Sequence, residues 1–223
     1  MTFDEKPHIR MASLGDLWKR TVTIGSAGKS FSATGWRIGW VTGPANLIRP
    51  TLAASTRIVF CANHPAQEAT AVGLELAAEE KFFEIQRKEY EERRGVFMEG
   101  LDKLGLPYTI PEGGYFVMVN TENLIIPTDF VVPEMIAGRA RDWVVSWFIA
   151  QTAVRPLFSF LVHSLMYRVD QGVVSIPPTD FYSEPSWPLG EHFVRFAFCK
   201  DLQLLRDASE RLLKLKPYIK VKN

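Results

Sequence analysis

Gly25-Ser26-Ala27-Gly28-Lys29-Ser30-Phe31-Ser32-Ala33-Thr34-Gly35-Trp36-Arg37-Ile38-Gly39 is the stretch on which the reading of this chain turns. It packs small residues around a single lysine and then sets an arginine eight residues on. Two chemistries compete for that pattern. Gly28-Lys29-Ser30 copies the end of a nucleotide-binding phosphate loop, but that motif needs a glycine at position 23, which is Thr23, and the following residues lack a helical period. The other chemistry is a Schiff-base lysine, a primary amine that must lose its proton to attack an aldehyde, helped by desolvation and a nearby cation. Small neighbours leave room for a flat ring, and Ser26 and Arg37 offer a hydroxyl and a bidentate fork to a dianionic phosphate. A surface lysine in a Gly/Ser loop beside a structural arginine is the plainest alternative.

Outward from this loop, residues 20–26 alternate and are β-branched, as in a strand, and a second short strand is expected over 36–42, ending at Gly43-Pro44. From Pro65 the apolar positions Ala69, Val72, Leu76, Val96, Phe97, Leu101 and Leu104 recur at helical spacing, so two helices or one bent helix should fill 65–104. The charge run over 79–94 reads as a solvated helix face with i,i+4 pairs such as Glu84 with Lys88 and Glu89 with Arg93. Strands are expected over 108–110, 115–120, 173–176 and 193–198. Helices are expected over 141–153 and from Asp201, a good N-cap followed by the apolar face Leu205, Ala208 and Leu212. This alternation argues for α/β or α+β layering.

Composition excludes several classes. The 223 residues are 47% hydrophobic and 23% charged with a formal net charge of +1, as in an ordinary globular protein. Near-zero charge gives no electrostatic reason to expect nucleic acid or an anionic membrane, and a small neutral or zwitterionic ligand fits better. Cys61 and Cys199 match no ligand spacing and His8, His64, His163 and His192 are scattered, so neither a disulfide framework nor a metal site is expected. The polar segment 1–10 is neither a secretory signal nor a transit peptide and reads as a start in mid-domain. The apolar stretch 143–167 is split by Arg155-Pro156 into runs of about 12 residues, short of the roughly 20 that a spanning helix needs.

Position by position, Ser26 to Gly39 resembles the pyridoxal-phosphate attachment motif of class I and II aminotransferases: small residues, Lys, and then Arg followed by an apolar residue and Gly. The resemblance implies that Lys29 holds pyridoxal 5′-phosphate and later shuttles a proton between substrate Cα and cofactor C4′, with Ser26 and Arg37 on the phosphate. The run Phe193-Val194-Arg195-Phe196-Ala197-Phe198-Cys199-Lys200-Asp201 resembles the family's strand whose arginine grips the substrate α-carboxylate, which assigns that role to Arg195. By itself, an arginine in a strand is more often an edge-strand surface residue. Asn63-His64-Pro65-Ala66-Gln67, Pro111-Glu112-Gly113-Gly114-Tyr115-Phe116 and Ile176-Pro177-Pro178-Thr179-Asp180-Phe181-Tyr182 are similar to the kynurenine aminotransferase and cysteine-conjugate β-lyase branch. That branch passes the amino group of aromatic or sulfur-containing amino acids to a 2-oxo acid. It also implies a homodimer, in cytoplasm or mitochondria.

The fold implied is a partial fold-type-I aminotransferase. Residues 1–60 would be the end of the large α/β domain, 61–104 connecting helices, and 105–223 the α+β C-terminal small domain. Before Lys29 there is no position for the family's glycine-rich phosphate loop, its ring-stacking aromatic, the Asn and Tyr on the phenolic oxygen or the Asp on the pyridine nitrogen. Only the C-terminal part of the pattern is therefore matched, the native N-terminus is expected to be missing, and weak or absent catalysis by this chain alone is expected. The alternative function is a catalytically inactive fragment or mis-spliced product without a complete cofactor site. Within the small domain, joining Ala153 to Gly172 gives DWVVSWFIAQTA-GVVSIPPTDFY, a helix passing through glycine into a strand, so 154–171 interrupts the pattern. A Val codon begins with GT and a Gln codon can be CAG, so 154–171 reads as a translated, unspliced intron kept in frame. A helical insertion with Leu157, Phe160, Leu161 and Leu165 on one face is the alternative.

Overall fold

The computed structural model describes residues 1–153 and 172–220, which fall into two compact units, Met1–Lys88 and Glu89–Asn223. The interruption at 154–171 lies outside the described residues. The expected large-domain remnant falls within the first unit and the expected small domain within the second, while the connecting helices are shared between them.

In the first unit β1 (Thr23–Ser26) and β2 (Gly39–Thr42) pair antiparallel, with Thr23 opposite Thr42 and Ser26 opposite Gly39. Both are shorter than the alternation predicts: β1 starts only after the 3-10 turn Leu17–Arg20, and β2 only after the connecting residues have coiled into α1 (Ala27–Ser30) and a 3-10 turn (Thr34–Trp36). Helix α2 (Ala45–Ile58) was not anticipated, since the sequence reading stops at the strand end Gly43-Pro44. Pro44 instead takes the N-cap position, and Pro50 sits inside the helix without a donor for its ladder. The expected helical stretch resolves into α3 (His64–Glu79) and α4 (Phe82–Leu104). The Asn63 side chain caps α3 by accepting from Ala66 N at 3.1 Å, with Pro65 in the first turn. Phe31 packs against Phe82 and Phe83 at 5.7 Å between ring centroids, and Gly73 leaves its ring room. Phe3, Ile38 and Ala77 are also buried, but much of the rest of the unit's apolar surface is exposed. No residue of α2 is buried, and Ile24, Leu52, Ile58 and Phe60 are 78%, 65%, 80% and 79% exposed.

The second unit is built on β3 (Phe116–Asn120) and β4 (Phe193–Ala197), antiparallel with Met118 opposite Arg195. Alternation sends Val117, Val119, Val194 and Phe196 into the core and leaves Phe116, Met118 and Arg195 on the other face. The core is closed by Phe97 and Leu101 of α4, Val145, Phe148 and Ile149 of α5 (Arg141–Thr152), and Leu205 and Leu212 of α6 (Leu202–Leu212). Asp201 caps α6 through Leu204 N at 2.8 Å, as expected. The strands expected over 108–110 and 173–176 are reduced to single bridges, Tyr108 with Val119 and Ile176 with Arg195. Pro107 and Pro111 flank the first and Pro177 follows the second, and proline has no N–H with which to extend a ladder. The anticipated helix pairs form, Glu84 with Lys88 at 3.3 Å in the first unit and Glu89 with Arg93 at 3.1 Å in the second. Among the described residues no helix is long and apolar enough to cross a membrane, and no three His, Cys, Asp or Glu converge as a metal site would require.

Candidate functional site

The lysine loop is set by the end of the β1–β2 ladder. Ser26 is the last residue of β1, Ala27 N donates to Ile38 O at 3.1 Å, and α1 turns back at once so that Phe31 N reaches Ala27 O at 2.9 Å. Lys29 therefore stands on the single turn that leaves the ladder, and Arg37 lies two residues before Gly39 on the returning limb. Two glycines make the turn possible. A Cβ on Gly28 would come 3.0 Å from Thr34 Cα, and one on Gly39 would come 2.8 Å from Gly25 O. Ala27 and Gly28 are buried whereas Lys29 and Arg37 are exposed, so the first unit offers the amine but does not enclose it. The desolvation that the sequence reading asks of a Schiff-base lysine is thus not supplied at this exposed position.

Arg37 has φ +56, a left-handed conformation that costs a side-chain-bearing residue roughly 1–2 kcal/mol. One guanidinium nitrogen, Nη1, donates to Thr34 O at 3.1 Å. Neither the Ser26 hydroxyl nor the Lys29 amine has a hydrogen-bond partner among the described residues. The loop thus presents a free amine, a free hydroxyl and a guanidinium held in a strained backbone, and such strain is concentrated at functional sites.

Arg195 occupies the second unit. Its backbone is bonded on one flank of β4, N to Ile176 O at 3.0 Å and O from Ile176 N at 2.9 Å, while Met118 of β3 faces it on the other. Its guanidinium carbon lies 4.1 Å from the centroid of the Phe116 ring and 4.6 Å from that of Phe181. The side chain has no hydrogen-bond or ion-pair partner among the described residues, and its Nε is buried. An arginine so placed has its faces engaged and its donors unused, the arrangement that suits a planar carboxylate. It is not the solvent-facing edge residue that a lone strand arginine suggests.

Asp142, at the start of α5, is fully buried. Its carboxylate accepts from Thr179 N and Thr179 Oγ1, both at 2.8 Å, and from Trp143 N at 3.0 Å. Burial pushes its pKa up, against the lowering effect of those hydrogen bonds. Ser175 Oγ also meets Ser146 Oγ at 3.0 Å, so α5 holds the segment leading to Phe181 at two points.

Of the residues singled out in the sequence, Ser26, Lys29 and Arg37 belong to the first unit and Arg195 to the second. Phe116, Phe181, Thr179 and Asp142 received no role from the sequence. Phe116 and Phe181 do fall in two of the motif runs, and for Phe116 an aromatic on the strand face opposite the core was the available signal. For Asp142 there was none, because its partner is far along the chain.

Residues 3–177 match the family model described as aminotransferase class I and II. The chain is 42% identical over 212 residues to "Probable kynurenine--oxoglutarate transaminase BNA3" of Saccharomyces cerevisiae, covering 94% of this chain and 44% of that protein. It is 36% identical over 219 residues to the kynurenine–oxoglutarate transaminase of Dictyostelium discoideum, covering 97% and 46%. The crystal structure of Bna3p from Saccharomyces cerevisiae matches with a TM-score of 0.85 at 39% identity, over 98% of this chain and 48% of that one. An N-succinyldiaminopimelate aminotransferase from Mycobacterium tuberculosis matches with a TM-score of 0.73 at 28% identity, over 96% and 47%. The chain spans less than half the length of these relatives.

Proposed function

Because the chain belongs to the class I and II aminotransferase family, with a partial fold-type-I α/β architecture, we propose that Lys29 is its cofactor lysine and that it serves transfer of an amino group from an aromatic or sulfur-containing, kynurenine-type amino acid to a 2-oxo acid. Pyridoxal 5′-phosphate suits the donors present at the end of the β1–β2 ladder, and the placement of Ser26, Lys29 and Arg37 on the segment that joins the two strands is the observation that carries the reading. When bound, this cofactor supplies an aldehyde carbon for amine attachment and a ring that draws electrons from the substrate Cα. The Ser26 hydroxyl and the Arg37 guanidinium bind the phosphate with charge-assisted hydrogen bonds. Lys29 Nζ holds the cofactor and afterwards carries the proton between the substrate Cα and the acceptor carbon. Arg195 binds the α-carboxylate of both amino acid and oxo acid with its unused donors.

On this reading residues 1–60 are the end of a large domain, 61–104 connecting helices and 105–223 a small domain interrupted at 154–171, in a protein that works as a homodimer. A second reading, a chain without a complete cofactor site, is favoured by the exposure of Lys29 and by the open face of α2.

The deciding experiment is an absorbance spectrum of the purified chain with pyridoxal phosphate, before and after borohydride, beside Lys29→Ala. A reducible band in the wild type that Lys29→Ala lacks supports the first reading. Identical spectra support the second.

A further inference from the structure

The two rings that meet Arg195 come from opposite flanks of β4. Phe116 stands on β3, and Phe181 ends the 3-10 turn Pro178–Phe181, which follows the Ile176 bridge on the other flank. The Phe181 ring is 62% exposed, so burial does not explain why it is kept at this place. The turn that carries it is instead anchored from below, by the Asp142 carboxylate on both the N–H and the hydroxyl of Thr179. A carboxylate with 0% exposure is a costly way to hold a surface turn unless the position of that turn matters.

We propose that Phe181 and Asp142 are positioning residues for Arg195: Asp142 pins the Pro178–Phe181 turn through Thr179, and the Phe181 ring then holds the guanidinium with its donor edge presented to a carboxylate. The proposal rests on the carboxylate-binding role given to Arg195 above. A guanidinium is planar, attracts the face of an aromatic ring within about 6 Å, and keeps its N–H donors in the plane, so stacking costs it no hydrogen-bonding capacity. With Phe116 fixed in the sheet and Phe181 fixed by the latch, the rotations left to the side chain are few, and less freedom is lost when a carboxylate arrives. Asp142 touches neither Arg195 nor any substrate on this account, and its whole effect passes through the turn.

The test uses the full chain, with the Nε–H resonance of Arg195 identified by its loss in Arg195→Lys, and 3-phenylpropionate as the probe because it has a carboxylate and no amine. In the wild type the probe is expected to shift this resonance. Phe181→Ala, an exposed substitution that leaves the core intact, is expected to move the resonance of the free protein and to weaken the probe about fivefold, the size of one stacked cation contact. Phe181→Tyr should bind as the wild type does. Asp142→Asn should weaken binding about as much as Phe181→Ala and add little to it in the double variant, because two residues acting through one contact are not additive. Should Asp142→Asn fail to fold, Thr179→Val, which removes one of the latch bonds and leaves the carboxylate in place, gives the same comparison. A wild-type resonance indifferent to the probe overturns the role of Arg195 and the latch with it. A wild-type response that Phe181→Ala leaves unchanged, or a double variant with fully additive losses, overturns the latch alone.

Discussion

Replacing Gly100 with alanine puts a methyl group where helices α4 and α6 touch. An ideal Cβ at Gly100 would lie 2.2 Å from Ser209 Oγ and 2.4 Å from Ser209 Cβ, with Ser209 Cα at 3.4 Å. Rotating the hydroxyl, which now donates to Leu205 O at 2.8 Å, clears the oxygen but not the carbon, since Cβ is fixed to its backbone. Carbon contacts settle near 3.5–4.0 Å, so the helices must part by about 1 Å. Overpacking of this kind costs roughly 1–3 kcal/mol, and the rigid contact argues for the upper end. Alanine returns about 1 kcal/mol of helix propensity over glycine, which leaves a net loss of about 2 kcal/mol. Urea denaturation followed by far-UV circular dichroism measures it. Adding Ser209→Gly removes the obstructing atoms, so the double variant should recover most of the loss as a coupling term. If Gly100→Ala alone is as stable as the parent, the close approach of α4 and α6 is wrong.

Two further predictions concern charge and strain. Burial raises the pKa of Asp142 in the folded protein above its unfolded value, so the native state holds the proton over that window. Its contribution to stability is therefore complete below the ordinary carboxylate range near 4 and is lost as pH rises through the raised folded value. The stability difference between wild type and Asp142→Asn, read from urea midpoints at a series of pH values, should change with this sign, and a pH-independent difference would refute it. Arg37→Gly relieves a left-handed backbone at an exposed site, so the variant should be equal to the parent or more stable by up to about 1 kcal/mol. It should meanwhile retain pyridoxal phosphate poorly in gel filtration. A strongly destabilised Arg37→Gly, or one that retains cofactor like the wild type, would remove the strain argument for this loop.

What could be read without coordinates was whatever depends on neighbours in sequence. The helix cap at Asp201 is local, because the capping oxygen reaches an N–H only three residues on. The alternation over β3 and β4 and the i,i+4 pairs on α4 are local for the same reason. The loop around Lys29 was legible because small residues, one amine and one guanidinium at fixed spacing carry their chemistry within a single run. Helix α2 escaped because Pro50 weighs against a helix in any local reading, and none of its residues is buried against the rest of the unit. The strands expected over 108–110 and 173–176 failed because flanking prolines limit pairing to one bridge each.

The sequence by itself determined the family, and it singled out Lys29 and Arg195 as candidates. Only the tertiary structure decided what surrounds that arginine. Phe116 and Phe181 meet it because β4 is flanked by β3 on one side and by the Ile176 bridge on the other, and Asp142 reaches the Phe181 turn only through Thr179, 37 residues along the chain. A pairing of that kind is set by which backbone groups find partners across the fold, and no spacing along the chain encodes it.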